Sequence, residues 1–247
     1  MKYIREGFNE NYFEKIDSED KAYFLGFIVA DGCIIKDNEN TKKKAQNRLV
    51  IGIQERDREI LEILNNKITP YKKLNVFIRN RKHEIWQNNV TFKVNSNKIC
   101  NDLEKLGVNS RKSGNETFPD LKEELITHFI RGFFDGDGCI YIKTINKTCK
   151  HGGKLKNKIV FCCLNKQFLE MLQIKLNNFG KIKAIKRKNR QEIFIYTIDK
   201  NIETINFFTF IYQNSSVYLK RKYNKFLQGN PVLTNILTNI SNVETTS

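Results

Sequence analysis

Two stretches of this chain end in the same way. AYFLGFIVADG (residues 22–32) and HFIRGFFDGDG (residues 128–138) are each an apolar run closed by Asp-Gly and followed by Cys-Ile. An apolar run of helical length that stops at turn residues and continues into β-branched ones predicts a helix passing directly into a strand. Because the pattern occurs twice, residues 20–107 and 126–212 are copies of one unit, and such copies adopt a common architecture.

The segments after each motif correspond one by one. A short β-rich run comes first (Cys33 to Ile35; Cys139 to Lys143), then a polar basic loop and a second strand (Arg48 to Ile53; Lys158 to Leu164). Helical periodicity follows, carried by Ile60, Leu61, Ile63, Leu64 and Ile68 in one copy and by Phe168, Leu169, Leu172 and Leu176 in the other. Hairpins around Leu74 to Val94 and Lys181 to Ile198, then helices at Lys98 to Leu106 and Ile202 to Tyr212, complete the copies. The fold class expected is α+β: two pseudo-symmetric αββαββα units, each an antiparallel sheet with helices on one face. The boundaries expected are 1–107 for the first repeat, 108–120 for a Gly/Ser/Asn/Pro-rich linker, and 121–228 for the second repeat with the basic helix YLKRKYNKFLQ. Residues 229–247, without Lys or Arg, are expected to form a frayed tail.

Charge narrows the partner. The 247 residues carry 43 Lys+Arg against 27 Asp+Glu, a net +16, and such an excess favours a polyanion. No apolar run approaches the ~18–20 residues that span a bilayer. Six cysteines with no secretory leader point to a reducing, intracellular compartment, with bacterial or phage-infected cytoplasm favoured over an organelle. Cys149, His151, Cys162 and Cys163 fit no common zinc spacing.

The motif helices carry small residues four apart, Gly26 and Ala30 in one, Gly132 and Gly136 in the other. Glycine inside a helix costs about 1 kcal/mol relative to alanine, so matching stripes imply that the two helix backbones pack closely against each other. That packing would place Asp31 and Asp137 side by side at helix C-termini, with Gly32 and Gly138 as left-handed caps. Two carboxylates at the negative ends of helix dipoles call for a cation. Mg²⁺ (or Mn²⁺), which takes one or two carboxylates with water and phosphate oxygens, suits a site formed by Asp31, Asp137 and the adjoining Gly32 and Gly138. Asp135, two positions before Asp137, faces elsewhere and is expected to pair with Arg131.

At FLGFIVADG (Phe24 to Gly32) and IRGFFDGDG (Ile130 to Gly138) the sequence resembles the LAGLIDADG homing endonucleases, and the likeness extends over nearly all of the chain except the tail. The resemblance implies paired αββαββα units forming a saddle over DNA, and one motif acid per unit holding divalent metal to cut both strands of a long site. It makes Asp31 and Asp137 catalytic and puts a water-ordering polar residue at Gln54. In the second half Cys162 or Asn165 would stand there, depending on a gap. It also implies a basic residue beside the metals, with Lys112 and either Lys220 or Lys222 as candidates; phosphate clamping serves these lysines equally well.

A two-stranded β-ribbon fits the major groove, and strand alternation turns Lys181 and Lys183, and likewise Tyr141 and Lys143, to one face. Further candidates for DNA contact are Lys36, Arg48, Arg79, Arg81, Lys93, Lys158, Arg187 and Arg190, with Asn75 and Gln191 to read base edges. Basic loops 37–47 and 144–157 would clamp phosphates, making binding salt-dependent. The partner expected is double-stranded DNA, bound by one monomer at a non-palindromic site. Two competing readings use the same scaffold: a non-cleaving DNA-binding regulator, for which retention of both acids is superfluous, and an RNA maturase acting on host intron RNA. An intein is disfavoured by the lack of a nucleophilic first residue and of a His-Asn terminus.

Overall fold

Helix α1 (Glu19–Asp31) is apolar on every side, and Ala22 to Ala30 are all buried. Such a helix needs covering on two faces. Strands β1 and β2 cover one, and helix α4 (Glu123–Asp137) covers the other. The computed structural model describes residues 7–36, 46–77, 88–110, 114–145, 154–188 and 190–230.

The chain folds as two compact units, one of Met1–Asp137 with Ser216–Tyr218, the other of Gly138–Ser215 with Leu219–Ser247. The packing boundary falls at Asp137 because α4 is held by α1, whereas the sequence repeat changes over earlier, between residues 107 and 121. In the first unit α1 is followed by β1 (Gly32–Ile35), β2 (Arg48–Gln54), a 3-10 turn at Glu55–Asp57, α2 (Arg58–Ile68), β3 (Asn75–Phe77), β4 (Asn89–Asn95) and α3 (Asn97–Lys105). Its antiparallel sheet has the order β1-β2-β4-β3. The second unit has β5 (Cys139–Ile145), β6 (Lys154–Cys163), α5 (Lys166–Lys175), β7 (Lys181–Arg187), β8 (Arg190–Ile198), α6 (Asn201–Tyr212) and α7 (Lys220–Gly229), with sheet order β5-β6-β8-β7. With α4 counted before β5, the succession αββαββα occurs twice, as the sequence leads one to expect. No helix among the described residues is long and apolar enough to cross a membrane.

Each sheet buries one face. In the first, Ile34, Leu49, Ile51, Ile53, Val90, Phe92 and Val94 pack under α2 and α3. In the second, Ile159, Phe161, Tyr196 and Ile198 meet α5 and α6, and Phe226 of α7 closes an aromatic cluster with Phe207, Phe208 and Tyr212. The ends of the helices follow side-chain chemistry. Ser96 caps α3 by accepting from the Ile99 N–H, and Asn165 caps α5 by accepting from Phe168. Gly107 closes α3 at φ +91°, a left-handed residue whose neighbour Val108 donates back to Leu103.

Two expectations need correction. The second basic loop is shorter than residues 144–157, because Thr144–Ile145 and Lys154–Asn157 extend β5 and β6 in register. The chain stays ordered past Gln228: α7 includes Gly229, and both Gly229 and Asn230 are buried. A side chain at 229 would collide with Asn157 Oδ1, so glycine is what allows the helix end to close on β6.

The contact between α1 and α4 is made of backbone. A Cβ placed on Gly26 would lie 2.0 Å from the Phe129 carbonyl oxygen, and one on Gly132 would lie 1.9 Å from that of Tyr23. On an exposed helix Gly→Ala gains about 1 kcal/mol. Here the sign should reverse: Gly132→Ala is expected to cost about 1–3 kcal/mol as the helices are forced apart, read as a lower denaturant midpoint. An unchanged or raised midpoint would show that the backbones are not in contact.

Candidate functional site

The close approach continues to the ends of both helices. A Cβ on Gly136 would fall 2.2 Å from Ala30 Cβ and 3.3 Å from Asp31 Oδ2. Gly136 directly precedes Asp137, the last residue of α4, so the final turns of α1 and α4 bring both acids to one end of the helix pair. Asp31 and Asp137 are exposed, in contrast to the buried stretch before each of them. Gly32 departs from expectation: its backbone is extended (φ −80°, ψ 157°), and Gly138 likewise lacks a positive φ. Each helix passes straight into a strand with no left-handed turn. Gly32 is required by space, since a Cβ there would lie 2.6 Å from Ile28 Cγ2 and 2.7 Å from the Ile28 carbonyl oxygen.

Polar contacts brace the same helix pair. Asp135 is buried and accepts a 2.9 Å hydrogen bond from the Tyr23 hydroxyl of α1. Arg131, fully buried, donates from Nη2 to Glu19 Oε1 at 2.7 Å and from Nε to the Val217 carbonyl at 2.9 Å. Its Nη1 donates to His128 Nδ1 at 2.9 Å. A guanidinium has no lone pair to offer, so this bond requires a neutral imidazole with its proton on Nε2. Glu19 also accepts from the Ser216 N–H and hydroxyl, tying the segment before α7 to the helix pair. Burial alone would raise the Glu19 carboxyl, but the Ser216 donors, the Arg131 charge and the Val217 N–H together hold it below the usual carboxylate range. Burial and the Arg131 charge push His128 down, against the pull of Glu19.

Away from the acids, each sheet leaves one face open. Cross-strand register puts Cys33, Val50 and Lys93 on it in the first unit, with Ile35, Arg48 and Asn95 alongside, then Asn75 and Thr91, then Gln54 and Asn89. In the second unit the open face holds Tyr141 opposite Lys158, Lys143 opposite Lys156, and Lys181 and Lys183 opposite Thr197 and Ile195. The predicted contacts Arg48, Asn75, Lys93, Tyr141, Lys143, Lys158, Lys181 and Lys183 therefore all lie on open faces. Arg187, Arg190 and Gln191 lie at the exposed tip of the β7-β8 hairpin, where the Arg187 guanidinium donates to the Gln191 carbonyl. Lys36 follows β1 and pairs with Glu104 at 2.8 Å. Arg79, Arg81 and Lys112 lie outside the described residues.

Residues 130–232, which begin in α4 and include the second Asp-Gly, match the model of the LAGLIDADG endonuclease family. The first copy of the motif, in α1, packs against that helix glycine to backbone. The similarity is to the LAGLIDADG endonucleases, over the second half of the chain. Among solved structures, the I-LtrWI LAGLIDADG homing endonuclease bound to target DNA shares the fold, with TM-score 0.59 and 15% identity over 93% of this chain and 92% of that one. The I-SmaMI LAGLIDADG homing endonuclease bound to cleaved DNA gives TM-score 0.58 and 14% identity over 91% of each chain. Reverse gyrase of Methanocaldococcus jannaschii is 25% identical over 207 residues, 84% of this chain; the chain spans 11% of that protein's length.

The auxiliary positions diverge between the two copies. Gln54 ends β2, exposed and opposite Asn89 on the open face. Matching the registers of the two sheets pairs Gly52 with Cys162 and Ile53 with Cys163, so the counterpart of Gln54 is Leu164. Neither Cys162 nor Asn165 takes that place, and Asn165 is occupied as the cap of α5. Lys220 is exposed at the start of α7. Lys222 is 6% exposed, and its ammonium donates to the Gly138 carbonyl at 2.6 Å, securing the residue that follows Asp137 in the chain. The α1/α4 brace through Glu19 and Ser216 escaped the sequence reading, because its members are as far as 197 positions apart.

Lys222→Met leaves a buried carbonyl without its donor and should cost about 1–3 kcal/mol, whereas Lys220→Ala should stay within about 0.5 kcal/mol of the parent; equal effects on the denaturant midpoint would refute the difference. Acid should weaken the brace in two stages. A lowered histidine contributes stability that is full above its ordinary value of 6.5 and lost as pH falls toward the folded value. A lowered carboxylate contributes stability that is full above 4.5 and lost as pH falls through its folded value. The thermal midpoint should therefore begin to drop near pH 6.5, and His128→Gln should flatten that upper limb; a parent profile already flat between pH 6.5 and 4.5 would contradict the bond geometry.

Proposed function

We propose that this chain is a site-specific DNA endonuclease that hydrolyses both strands of a long, non-palindromic target with a divalent metal, Mg²⁺ by preference, held at Asp31 and Asp137. The observation that carries this reading is the backbone contact of α1 and α4, which brings two exposed carboxylates to one end of the helix pair. Gly136 against Ala30 holds the two helix ends close together, and an active site needs its charged groups fixed before the substrate arrives. Carboxylate oxygens at helix C-termini sit in negative potential and repel each other, so they favour a hard cation. They fit Mg²⁺, which takes one or two carboxylates and leaves its other positions to water and phosphate oxygens. Bound there, such an ion supplies Lewis acidity toward a phosphodiester oxygen and lowers the pKa of a coordinated water.

The remaining residues have separable tasks. Asp31 and Asp137 hold the charge, and Lys222 fixes the backbone that follows Asp137. The open sheet faces, without a carboxylate on any described strand residue turned to them, present cations and amides to DNA. Neighbouring structures of the same fold are described as bound to target DNA and to cleaved DNA, which supports DNA as the substrate. The unlike faces of the two sheets support one chain reading a site without two-fold symmetry.

The test is cleavage of the uninterrupted form of the chain's own insertion locus, with Mg²⁺ or with EDTA. Both strands should be cut only with metal. Asp31→Asn and Asp137→Asn should each reduce double-strand cutting by at least about a hundredfold, in line with loss of metal-assisted transition-state stabilisation, while DNA affinity changes little. Tight binding without any cutting would make the chain a regulator, and cutting that survives either substitution would remove that acid from the site.

A further inference from the structure

Three residues near the end of the second copy belong to the first unit. They are Ser216–Tyr218, whereas α6 before them and α7 after them belong to the second. Glu19, the first residue of α1, holds this segment. Its Oε1 accepts from the Ser216 N–H at 2.7 Å and the Val217 N–H at 3.4 Å, and its Oε2 accepts from the Ser216 hydroxyl at 3.0 Å. Arg131 donates to the Val217 carbonyl and to Glu19 Oε1, so it grips the segment and its holder together. The fold by itself does not call for these charges. With Asp31 aligned on Asp137, Ala22 stands where His128 does and Leu25 where Arg131 does, and both are fully buried. One motif helix fills with apolar side chains what the other fills with an imidazole and a guanidinium. Buried ionic groups are often no more stabilising than apolar residues of similar volume, so their presence in one copy alone points to a task other than stability.

A switch needs two states, and the bonds around Glu19 provide them. His128 accepts from Arg131 only while its ring is neutral. A protonated ring carries N–H on both nitrogens, loses that bond and sets a second cation against the guanidinium. Its Nδ1 stands 3.9 Å from Glu19 Oε1, the oxygen that already serves Arg131, Ser216 and Val217. An ionised carboxylate has about four lone-pair sites, so a bond to the imidazolium comes at the expense of a donor already there. Ser216 is exposed, and water can replace Glu19 as its partner. The His128 side chain is 16% exposed, which gives protons access to it. The charges facing it are Arg131 on its own helix and Glu19 on α1, and Ser216 and Val217 bring no titratable side chain. On Arg131 itself lies the Tyr23 ring, 5.4 Å from the guanidinium, with its hydroxyl donating to Asp135.

We propose that Glu19, Arg131 and His128 are positioning residues forming an acid-operated latch: protonating His128 draws Glu19 from Ser216, frees the lead into α7, and slackens the hold of Lys222 on the residue after Asp137. The effect on cutting rests on the endonuclease reading above. Ser216 and Val217 run directly into α7, whose Lys222 ammonium donates to the Gly138 carbonyl. The segment that Glu19 fastens therefore sets the start of the helix that fastens the exit of Asp137. Burial and the Arg131 charge keep His128 neutral to a lower pH than a free imidazole, so the latch is closed at neutral pH and opens in acid.

The experiment follows the full chain between about pH 8 and pH 5, the range in which an imidazole titrates, by amide hydrogen exchange and by DNA cleavage with saturating Mg²⁺. His128→Asn and His128→Gln run beside it, since their side-chain carbonyls can accept from Arg131 at every pH. The probes are the Ser216 N–H, bonded to Glu19, and the Lys222 and Tyr223 N–H groups, bonded to the Leu219 carbonyl at the start of α7. After correction for the intrinsic pH dependence of exchange, these amides should lose protection in the parent as pH falls and keep it in both variants, while α2 stays protected throughout. Cutting by the parent should fall relative to the variants by about tenfold per pH unit below the folded value of His128, the rate at which the neutral ring is depleted. The loss should appear in kcat rather than in KM. Protection that changes alike in parent and variants would overturn the latch, and a parent-to-variant cutting ratio that ignores pH would overturn its link to the acids. A chain that cuts no DNA at any pH sinks the endonuclease reading, while the exchange data still decide for or against the latch.

Discussion

The rest of the architecture depends on one contact, the backbone of α1 against the backbone of α4. Side chains normally hold helix axes 8–10 Å apart. Here glycines on each helix meet carbonyls of the other at distances that admit no Cβ. The contact is costly to form, because glycine weakens each helix by itself, and the structure compensates by burying almost everything else on α1. Apolar area removed from water on two sides of one helix offsets the propensity lost at Gly26, Gly132 and Gly136.

That contact also determines where charge can go. Within the pair, charged and polar groups are either satisfied or placed at the ends. Arg131 is enclosed by Glu19, His128 and the Val217 carbonyl, and Asp135 by Tyr23. Such a network is stabilising only if each member is paired, and removing one leaves a buried charge behind. Asp31 and Asp137 are instead at the exposed end. Carboxylates at helix C-termini are electrostatically unfavourable, so their retention in both copies, at the one place where the helices bring them together, is explained by ligand chemistry better than by stability.

Much of this was legible because it is local. Apolar periodicity located every helix and strand of the duplication, and misplaced glycines announced the close crossing. Where the reading failed, the cause was spatial. Gly32 looked like a left-handed cap, but what excludes a side chain there is Ile28 one turn back, which no φ preference reveals. The counterpart of Gln54 was unreadable across a gap, and strand register was needed to find Leu164. Lys222, in a basic run, could not be told from Lys220 as the basic residue beside the metals or a phosphate clamp, although Phe226 one turn further on marks its helix face as buried. The brace of Glu19, Arg131 and Ser216 joins three segments far apart in the chain and has no sequence signature at all.

Duplication fixes a backbone twice, but each copy is free to change wherever the fold does not depend on the side chain. The helix contact allowed little change: small residues stand at matching positions in both motifs, because enlarging either pushes against carbonyls of the other. The open faces were under no such restriction, since their side chains contribute little to the core. Gln54 ends β2 where its counterpart Leu164 follows β6, and Asn75 of β3 corresponds in register to Lys183 of β7. The copies keep one architecture while their exposed chemistry diverges, because core and open surface lie on opposite faces of the same strands.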